Sequence, residues 1–237
     1  MRYFRTIAAL LSLAMPAIAQ ADADTDEIIV TAGRRTAESY EERMPAIGLR
    51  RLADFAVQPV VITGDTRDEG QRHDEIFRMI RGAIELAAKR GGIEIAIGDE
   101  TVETLTLANY RSVTLTSDRR PDANKVTTLV KTRLSAETDA KAALDRITAF
   151  IKAVPPVGRS QMEADGDLTL SVVRPDQYRA EIVRLIAADA AANIEAFGAD
   201  YALTARGVER PVEWTRASLT DVLLYIPYEL TVVPKPR

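Results

Sequence analysis

The amino-acid sequence predicts an α+β protein with a largely antiparallel sheet and amphipathic helices packed on one face. Three segments with apolar residues at helical spacing alternate with segments in which every second residue is apolar. Many strand-like segments follow one another directly, an order that favours antiparallel pairing. A strand–helix–strand pattern occurs twice, near 56–97 and 125–173, and predicts two βαβ-type units. Whether these units are separate or share one sheet stays open at this point.

The first 19 residues have the features of a secretory signal peptide. Arg2 and Arg5 give a positive start, residues 6–14 are largely apolar, and Ala17-Ile18-Ala19 fits a small-x-small cleavage site. Cleavage after Ala19 predicts a periplasmic or secreted protein. The alternatives are a retained anchor or a buried helix, but the apolar run is shorter than the roughly 18 residues of a spanning helix. We therefore expect no stable membrane insertion after cleavage.

The amino-acid composition argues against disulfides, a lipid-modified cysteine and a nucleic-acid partner. The 237 residues include no cysteine, so the core must hold by packing without disulfides, and no cysteine can be lipid-modified. Removal of Arg2 and Arg5 takes the formal net charge from −4 to −6. This acidity argues against a nucleic-acid partner, whose phosphates require a basic surface.

Residues 20–50 are polar and charged, which is typical of a flexible linker, and contain one apolar island. The island consists of Glu27, Ile28, Ile29, Val30, Thr31 and Ala32. It resembles the TonB box of TonB-dependent outer-membrane receptors, a β-prone segment able to add as a strand to a partner's sheet edge. The chain is too short for a receptor barrel, whose every strand takes about ten residues plus turns. The island is therefore either an adaptor that binds a TonB-like envelope partner, or the domain's own first strand or a β-prone tail.

From residue 51 the pattern predicts a single domain that ends at 237. A strand at 56–63 precedes a helix at 68–90, whose acidic start and basic end suit the helix dipole. A strand at 93–97 follows, with further strand fragments at 105–109 and 112–116. Next come a strand at 126–134, a helix at 140–154 that stops at Pro155-Pro156, and a strand at 168–172.

The last 60 or so residues predict a helix followed by two strands. We expect the helix to begin at Pro175, because proline is tolerated in the first turn of a helix. We expect it to end at Gly198, because glycine is favoured just after the last helical residue. Its apolar face comprises Tyr178, Ile182, Ile186, Ala190, Ile194 and Phe197. The strands are 201–205 and 222–232, the second with six alternating apolar residues. Pro227 lies within the second strand and has no backbone N–H to donate, so we expect that strand at the edge of a sheet or at a bulge.

No catalytic or metal constellation is evident, so the sequence predicts a protein that is not an enzyme and carries no cofactor. His73, the single histidine, lies four residues from Glu69 and shares a helical face with it. This pair suits a divalent metal, although a site needs three or four ligands. The alternative is a solvated acidic first turn formed with Asp68, Asp74 and Glu75.

A hydrolase is the remaining enzymatic alternative. The carboxylate pairs Asp99–Glu100 and Asp165–Asp167 each flank a glycine, which is more typical of solvated turns than of a glycosidase pair. No Gly-x-Ser-x-Gly elbow or phosphate-binding glycine loop occurs.

Two further features allow both a structural and a binding role. Trp214 is either an interface anchor or a residue that covers the sheet. The alanine run at 187–192 is either a close helix–helix contact or a means for the helix to lie low on the sheet.

The order of these elements resembles the SIMPL-domain proteins. The likeness rests on the alanine-rich helix that leads into Ala196-Phe197-Gly198-Ala199-Asp200 and two strands, and on the strand, long helix and strand from 56 to 110. These landmarks cover about 51–233. The start of the first helix, Thr66-Arg67-Asp68-Glu69, departs from the Pro-Asp-x-Ala that members often show, and 117–124 matches poorly.

The resemblance implies an exported bacterial envelope protein with a non-enzymatic role. Members of the family are linked to oxidative-stress tolerance, and some assemble into ring-like homo-oligomers. The family has no agreed catalytic residues to transfer. We therefore expect a periplasmic structural or interaction protein that self-associates through strand edges or the alanine-rich helix.

Overall fold

The computed structural model describes residues 27–30, 46–98, 101–137 and 140–236. The strands are β1 (Glu27–Val30), β2 (Leu49–Leu52), β3 (Phe55–Gly64), β4 (Glu94–Ile97), β5 (Thr101–Thr104), β6 (Thr116–Ser117), β7 (Asn124–Arg133), β8 (Gln161–Ala164), β9 (Thr169–Val173), β10 (Tyr201–Arg206), β11 (Glu213–Arg216), β12 (Asp221–Tyr225) and β13 (Glu229–Pro234). The helices are α1 (Glu69–Arg90), α2 (Ala140–Ala153) and α3 (Arg179–Phe197). The pairings are antiparallel, and the predicted α+β class is confirmed.

Six strands of the largest sheet close into a small barrel. β3 pairs with β7 along its whole length, and the neighbours then run from β7 through β4, β5, β1 and β9 back to β3. β6 and β8 extend the sheet beside the other ends of β7 and β3. Closure leaves these six strands without the unpaired edges of an open sheet.

The two predicted strand–helix–strand units interleave within this one sheet. β3, α1 and β4 form a crossover between parallel strands that have β7 between them. β7, α2 and β9 form the second crossover, again with β3 between its strands, and β8, a short strand that the sequence did not predict, lies between α2 and β9 in the chain. Both are split βαβ units, so the two patterns in the sequence are halves of one sheet.

The main core lies between the outside of the barrel and the helices. Strand β3 contributes Ala56, Val60 and Ile62, which alternate along one face. The helical side includes Ile76, Met79, Ile80, Ala83 and Ala87 from α1 and Ala143, Ile147 and Phe150 from α2. Burial of these aliphatic and aromatic groups holds α1 and α2 on the sheet.

A second, smaller core fills the inside of the barrel. It consists of Phe55, Val57, Ala96, Val102 and Leu129. Lys131 is buried beside it at 1% exposure, with its Nζ 3.2 Å from Glu94 Oε2 and 4.2 Å from the centroid of the Phe55 ring. The carboxylate and the aromatic face together offset the cost of burying this ammonium group.

Most predicted helices and long strands are confirmed within a few residues. α1 starts where the side chain of Asp68 accepts a hydrogen bond from the Gln71 N–H at 2.7 Å. It ends at Gly91, whose φ of 69° suits glycine. β3, β4, β7, β9, β10 and α2 also agree with their predicted segments.

The strand fragments predicted at 105–109 and 112–116 are wrong. The strand lies earlier, at Thr101–Thr104, and a turn follows. The Asn109 side chain accepts a hydrogen bond from the Thr106 N–H at 2.6 Å and donates to the Thr104 carbonyl at 3.0 Å. These local bonds compete with a β-ladder and close the turn.

The single strand predicted at 222–232 is also wrong. It divides into β12, which pairs with β11 and β2, and β13, which pairs with β10 in a separate two-stranded sheet. The break falls at Pro227, which has no N–H to donate. Pro227 thus lies between two strands and not at a bulge or an edge of one.

The predicted signal peptide at 1–19 lies outside the described residues. Across the part of the chain that the structure describes, no helix is both long enough and apolar enough to cross a bilayer.

Candidate functional site

The predicted partner-binding segment Glu27–Ala32 lies partly in the barrel. Residues 27–30 form β1, which pairs with β5 on one side and with β9 on the other. Thr31 and Ala32 lie outside the described residues. β1 pairs with β9 at all four positions and with β5 at Glu27 and Ile28, so a partner's sheet that paired with these bonded edges would have to displace β9 or β5.

A more open surface is found at the C-terminal end of α3. The first half of this helix buries Ile182 and Ile186, as predicted, but the second half does not bury its apolar residues. Phe197 is 55% exposed, and Ile194 is only half-buried. The prediction of one continuous buried face is therefore wrong beyond Ile186.

The first half of α3 is fixed by the segment that follows β10. The Arg179 guanidinium donates hydrogen bonds to the carbonyls of Val208 and Arg210. Asp176 Oδ1 accepts a hydrogen bond from the Val212 N–H at 3.2 Å. These contacts hold the start of the helix, while the alanine run beyond Ile186 buries no side chain.

β10 contacts α3 and pairs with β13 in a two-stranded sheet. We name the second half of α3, 187–197, together with β10 and β13, the C-terminal arm. Within the described residues β10 and β13 pair only with each other, so each has one outer edge without a strand neighbour. Two strands alone make a marginal sheet in water, which makes the arm a candidate surface for adding another strand.

Apolar side chains are exposed at the end of this arm. The rings of Phe197 and Tyr201 lie 6.3 Å apart between centroids, and Tyr201 is 40% exposed. Val233, on the neighbouring strand, is 38% exposed. Of the alanine run, Ala187, Ala188, Ala191 and Ala192 are exposed and Ala190 is half-buried. Large exposed apolar groups next to free strand edges are typical of an interaction surface.

Trp214 does not belong to this surface. It lies on β11 opposite Leu224 and is half-buried against the main core. This placement agrees with a residue that covers the sheet.

A polar cluster that the sequence did not reveal lies where β3 leads into α1. Glu75 is 3% exposed, and its carboxylate accepts three hydrogen bonds, from the Thr66 hydroxyl at 2.6 Å, the Gln71 amide at 2.9 Å and the Arg159 N–H at 3.1 Å. Gly158 passes directly over it. Glu75 therefore ties the 157–160 loop to the start of α1.

Arg72, one turn before Ile76, completes this cluster. Its Nη1 donates to the Thr66 carbonyl at 2.7 Å, and its Nε donates to Asn124 Oδ1 at 2.5 Å. Arg72 and Glu75 fall at the helical spacing of the buried face of α1. A charged pair that continues an apolar stripe is the sequence signal that could have indicated this cluster.

Hydrogen bonding determines the protonation state of Glu75. The Thr66 hydroxyl, then the Arg159 N–H and the Gln71 amide, hold the pKa of the Glu75 carboxyl below its ordinary 4.5 against the opposing effect of burial. A general base that works near neutral pH needs a pKa raised towards 7. The charged Glu75 carboxylate therefore suits a structural role, in which it links the 157–160 loop to α1.

An open cleft of about 310 Å³ lies next to this cluster, lined by Thr63, Asp65, Arg120, Gly158, Arg159 and Gln161. Asp65 accepts two hydrogen bonds from the Arg159 guanidinium, at 2.7 and 3.1 Å, and Arg120 lies 3.7 Å from it. The Arg159 side chain lowers the pKa of the Asp65 carboxyl. Asp65 thus engages the two arginines that would otherwise attract an anion.

The pair weighed as an alternative metal site, Glu69 and His73, is only loosely associated. His73 Nε2 lies 3.8 Å from Glu69 Oε1, and Glu69 is exposed. Among the described residues no three histidine, cysteine or acidic side chains are grouped to hold an ion. The interpretation of a solvated acidic turn holds for Asp68, Glu69 and Asp74 but is wrong for the buried Glu75.

Of the four carboxylates weighed for a hydrolase, the structure describes only two, Asp165 and Asp167. Asp165 and Asp167 are exposed beside Gly166. Asp99 and Glu100 lie outside the described residues.

No protein-family model, curated protein or solved structure matches this chain.

Proposed function

We propose that this chain is an exported envelope protein with a non-enzymatic structural role, and that copies of it associate through the C-terminal arm. The observation that carries the proposal is the β10–β13 sheet beside the exposed Phe197 and Tyr201; among the described residues, no strand pairs with the outer edges of this sheet. The signal-like residues 1–19 support export. An envelope location and a link to oxidative stress rest on the part of the SIMPL-like order that agrees with the structure, which is β3, α1 and β4, and later α3 and β10.

The chemistry of the two edges favours one of them for association. β13 ends at Pro234 and is followed by Lys235-Pro236, so prolines without an N–H and a charged residue limit pairing at its end. β10 contains no proline. We expect β10 of one copy to pair with β10 of another, because such a self-complementary contact closes a symmetric dimer.

The aromatic residues supply the apolar part of this contact. Phe197 and Tyr201 lie at the start of β10, where a second copy would cover them. Aromatic side chains bury large areas at interfaces and often dominate their energetics. Without a partner these rings stay in contact with water.

Light scattering coupled to size exclusion, over a range of concentrations, tests the association. The exported chain is expected to run as a discrete oligomer, and the double variant Phe197→Ser/Tyr201→Ser as a smaller species. Leu107→Ser is the matched control, because Leu107 is 53% exposed but lies outside the arm. A monomeric wild-type chain at every concentration, or equal loss of assembly in the control, contradicts the proposal.

Export is tested separately by cell fractionation and N-terminal sequencing. The proposal requires a periplasmic or secreted chain that begins at Gln20. A chain retained in the cytoplasm with its first residues intact contradicts it.

One observation favours a second candidate function, an adaptor for a TonB-like envelope partner. Residues 27–30 adopt a strand, as a segment that adds to a sheet edge must. Deletion of 27–32 would also remove a barrel strand, so the cleaner test titrates a free peptide of Glu27–Ala32 against the partner's periplasmic domain. Saturable binding supports the adaptor, and absence of binding rejects it.

A further inference from the structure

The barrel depends on a strand that comes from a distant part of the sequence. β3, β4, β5, β7 and β9 all lie between Phe55 and Val173, whereas β1 is separated from β2 by residues 31–48. β1 closes the ring by pairing with β5 at two positions and with β9 at four. We name the space between β5 and β9 the closing slot.

An empty closing slot would leave the barrel incomplete. β5 and β9 would each expose a row of backbone donors and acceptors, since each keeps a neighbour on its other side only. The inner core would open as well, because Val102 lies on β5 opposite Glu27, and Phe55 lies opposite Ser171 of β9. The slot therefore requires a strand, whichever chain supplies it.

We infer that β1 is an exchangeable strand, and that Glu27–Val30 of one copy fills the closing slot of a second copy. This inference rests on the proposed function in one respect only, which is that two copies of the chain must come into contact. The contacts of a swapped strand are the same as those within one chain, so exchange costs little once a connection can reach.

The length of the connection permits this exchange. Ile47 packs against the main core, so the connection that could extend is residues 31–45, which would span up to about 50 Å when fully extended. A domain of this size is about 40 Å across by the usual scaling of radius with chain length. The segment can therefore reach the slot of a neighbouring copy as well as its own.

The composition of β1 suits a strand that must pair wherever it inserts. Three of its four residues, Ile28, Ile29 and Val30, are β-branched, and such residues favour extended backbone. Its register on β9 is set at all four positions, from Glu27 opposite Val173 to Val30 opposite Leu170. A strand from another copy would enter in the same register, because the slot's own residues define it.

A mixing experiment with full-length chains tests the inference, helped by the absence of native cysteine. Glu27→Cys is placed in one chain and Val173→Cys in another, because paired positions lie within the distance that a disulfide spans. After mixing and mild oxidation, we expect a disulfide-linked dimer that contains one copy of each chain. The matched control mixes Glu27→Cys with Thr127→Cys, an exposed residue of β7 that pairs with Val61 of β3.

The outcomes separate this inference from the proposed self-association. A mixed disulfide well above the control upholds exchange, and it still does so if it persists in the Phe197→Ser/Tyr201→Ser background. The inference is overturned if Glu27→Cys/Val173→Cys in one chain gives only an internal disulfide and the mixture gives none. In that case an oligomer seen by light scattering leaves the proposed function standing, and a monomer rejects both.

Discussion

α1 and α3 are helices of similar length, but they bury very different numbers of side chains. α1 buries seven side chains along its whole length, two of them the charged Arg72 and Glu75. α3 buries only Ile182 and Ile186, both in its first half. Both helices carry apolar residues at helical spacing, so the difference lies in what the rest of the fold places against them.

The barrel supplies the surface that covers α1, and no described element covers the second half of α3 to the same extent. The outer face of β3, β4 and β7 packs against α1 and α2. The second half of α3 lies beside β10 and β13, whose residues are all half-buried or exposed. Most buried apolar side chains thus belong to the barrel and its two helices, and the arm is the region through which we propose that copies associate.

The largest expected effect compares two phenylalanines. Phe150→Ala removes a ring with 0% exposure from the main core and is expected to lower the free energy of unfolding by about 3–5 kcal/mol. Phe197→Ala, at 55% exposure, is expected to change it by less than about 0.5 kcal/mol. Urea denaturation measures both changes in the free energy of unfolding, at a protein concentration low enough for the chain to be monomeric. Equal losses would abolish the distinction between the two regions.

A smaller effect is expected from the loop that covers Glu75. Gly158 has a φ of 57°, and an added Cβ would lie 2.2 Å from the Glu75 carboxyl carbon. Backbone strain and crowding together predict that Gly158→Ala costs about 2–4 kcal/mol. Gly166→Ala is the control, since φ is 83° and no atom lies within 4 Å of its added Cβ. Thermal denaturation should show the larger loss at Gly158, and indistinguishable losses would mean that the loop does not press on Glu75.

Glu75→Gln is expected to cost about 1–3 kcal/mol near neutral pH, because three donors lose a charged acceptor. The pKa of the folded carboxyl lies below its ordinary 4.5, so its stabilisation is complete above that pH. It is lost as the pH falls through the lowered value. Unfolding measured from pH 7 to pH 3 should therefore show the wild-type and variant chains converging in acid. A difference that stays constant over this range would contradict the assigned role of the carboxylate.

Periodicity in the sequence was sufficient to predict the fold class and most long elements, because β3, β7, α1 and α2 have their own buried faces. It could not reveal closure of the barrel. Glu27–Val30 lies in a polar stretch, and its pairing with β5 and β9 depends on residues far along the chain. Alternation continued across Pro227 and predicted one strand, although the missing donor divides it between two sheets.

The candidate sites show the same limit of sequence reasoning. Glu75 follows Asp74 in an acidic stretch, and only the approach of Gly158 and Arg159 from a distant loop buries it. Phe197 has the spacing of a core residue, but nothing in the helix itself shows that the fold leaves it exposed. Spacing identifies an apolar face, and tertiary structure decides whether the face becomes core or contact surface.

The most direct test of the arm as the association surface is amide hydrogen exchange at low and at high protein concentration. We expect exchange in 187–206 and 229–234 to slow as the concentration rises, while exchange in α1 and β3 stays constant. Covering β10 would add hydrogen bonds to its outer edge, with which no strand of the described chain pairs. Protection confined to the barrel, or exchange independent of concentration throughout, would contradict the account.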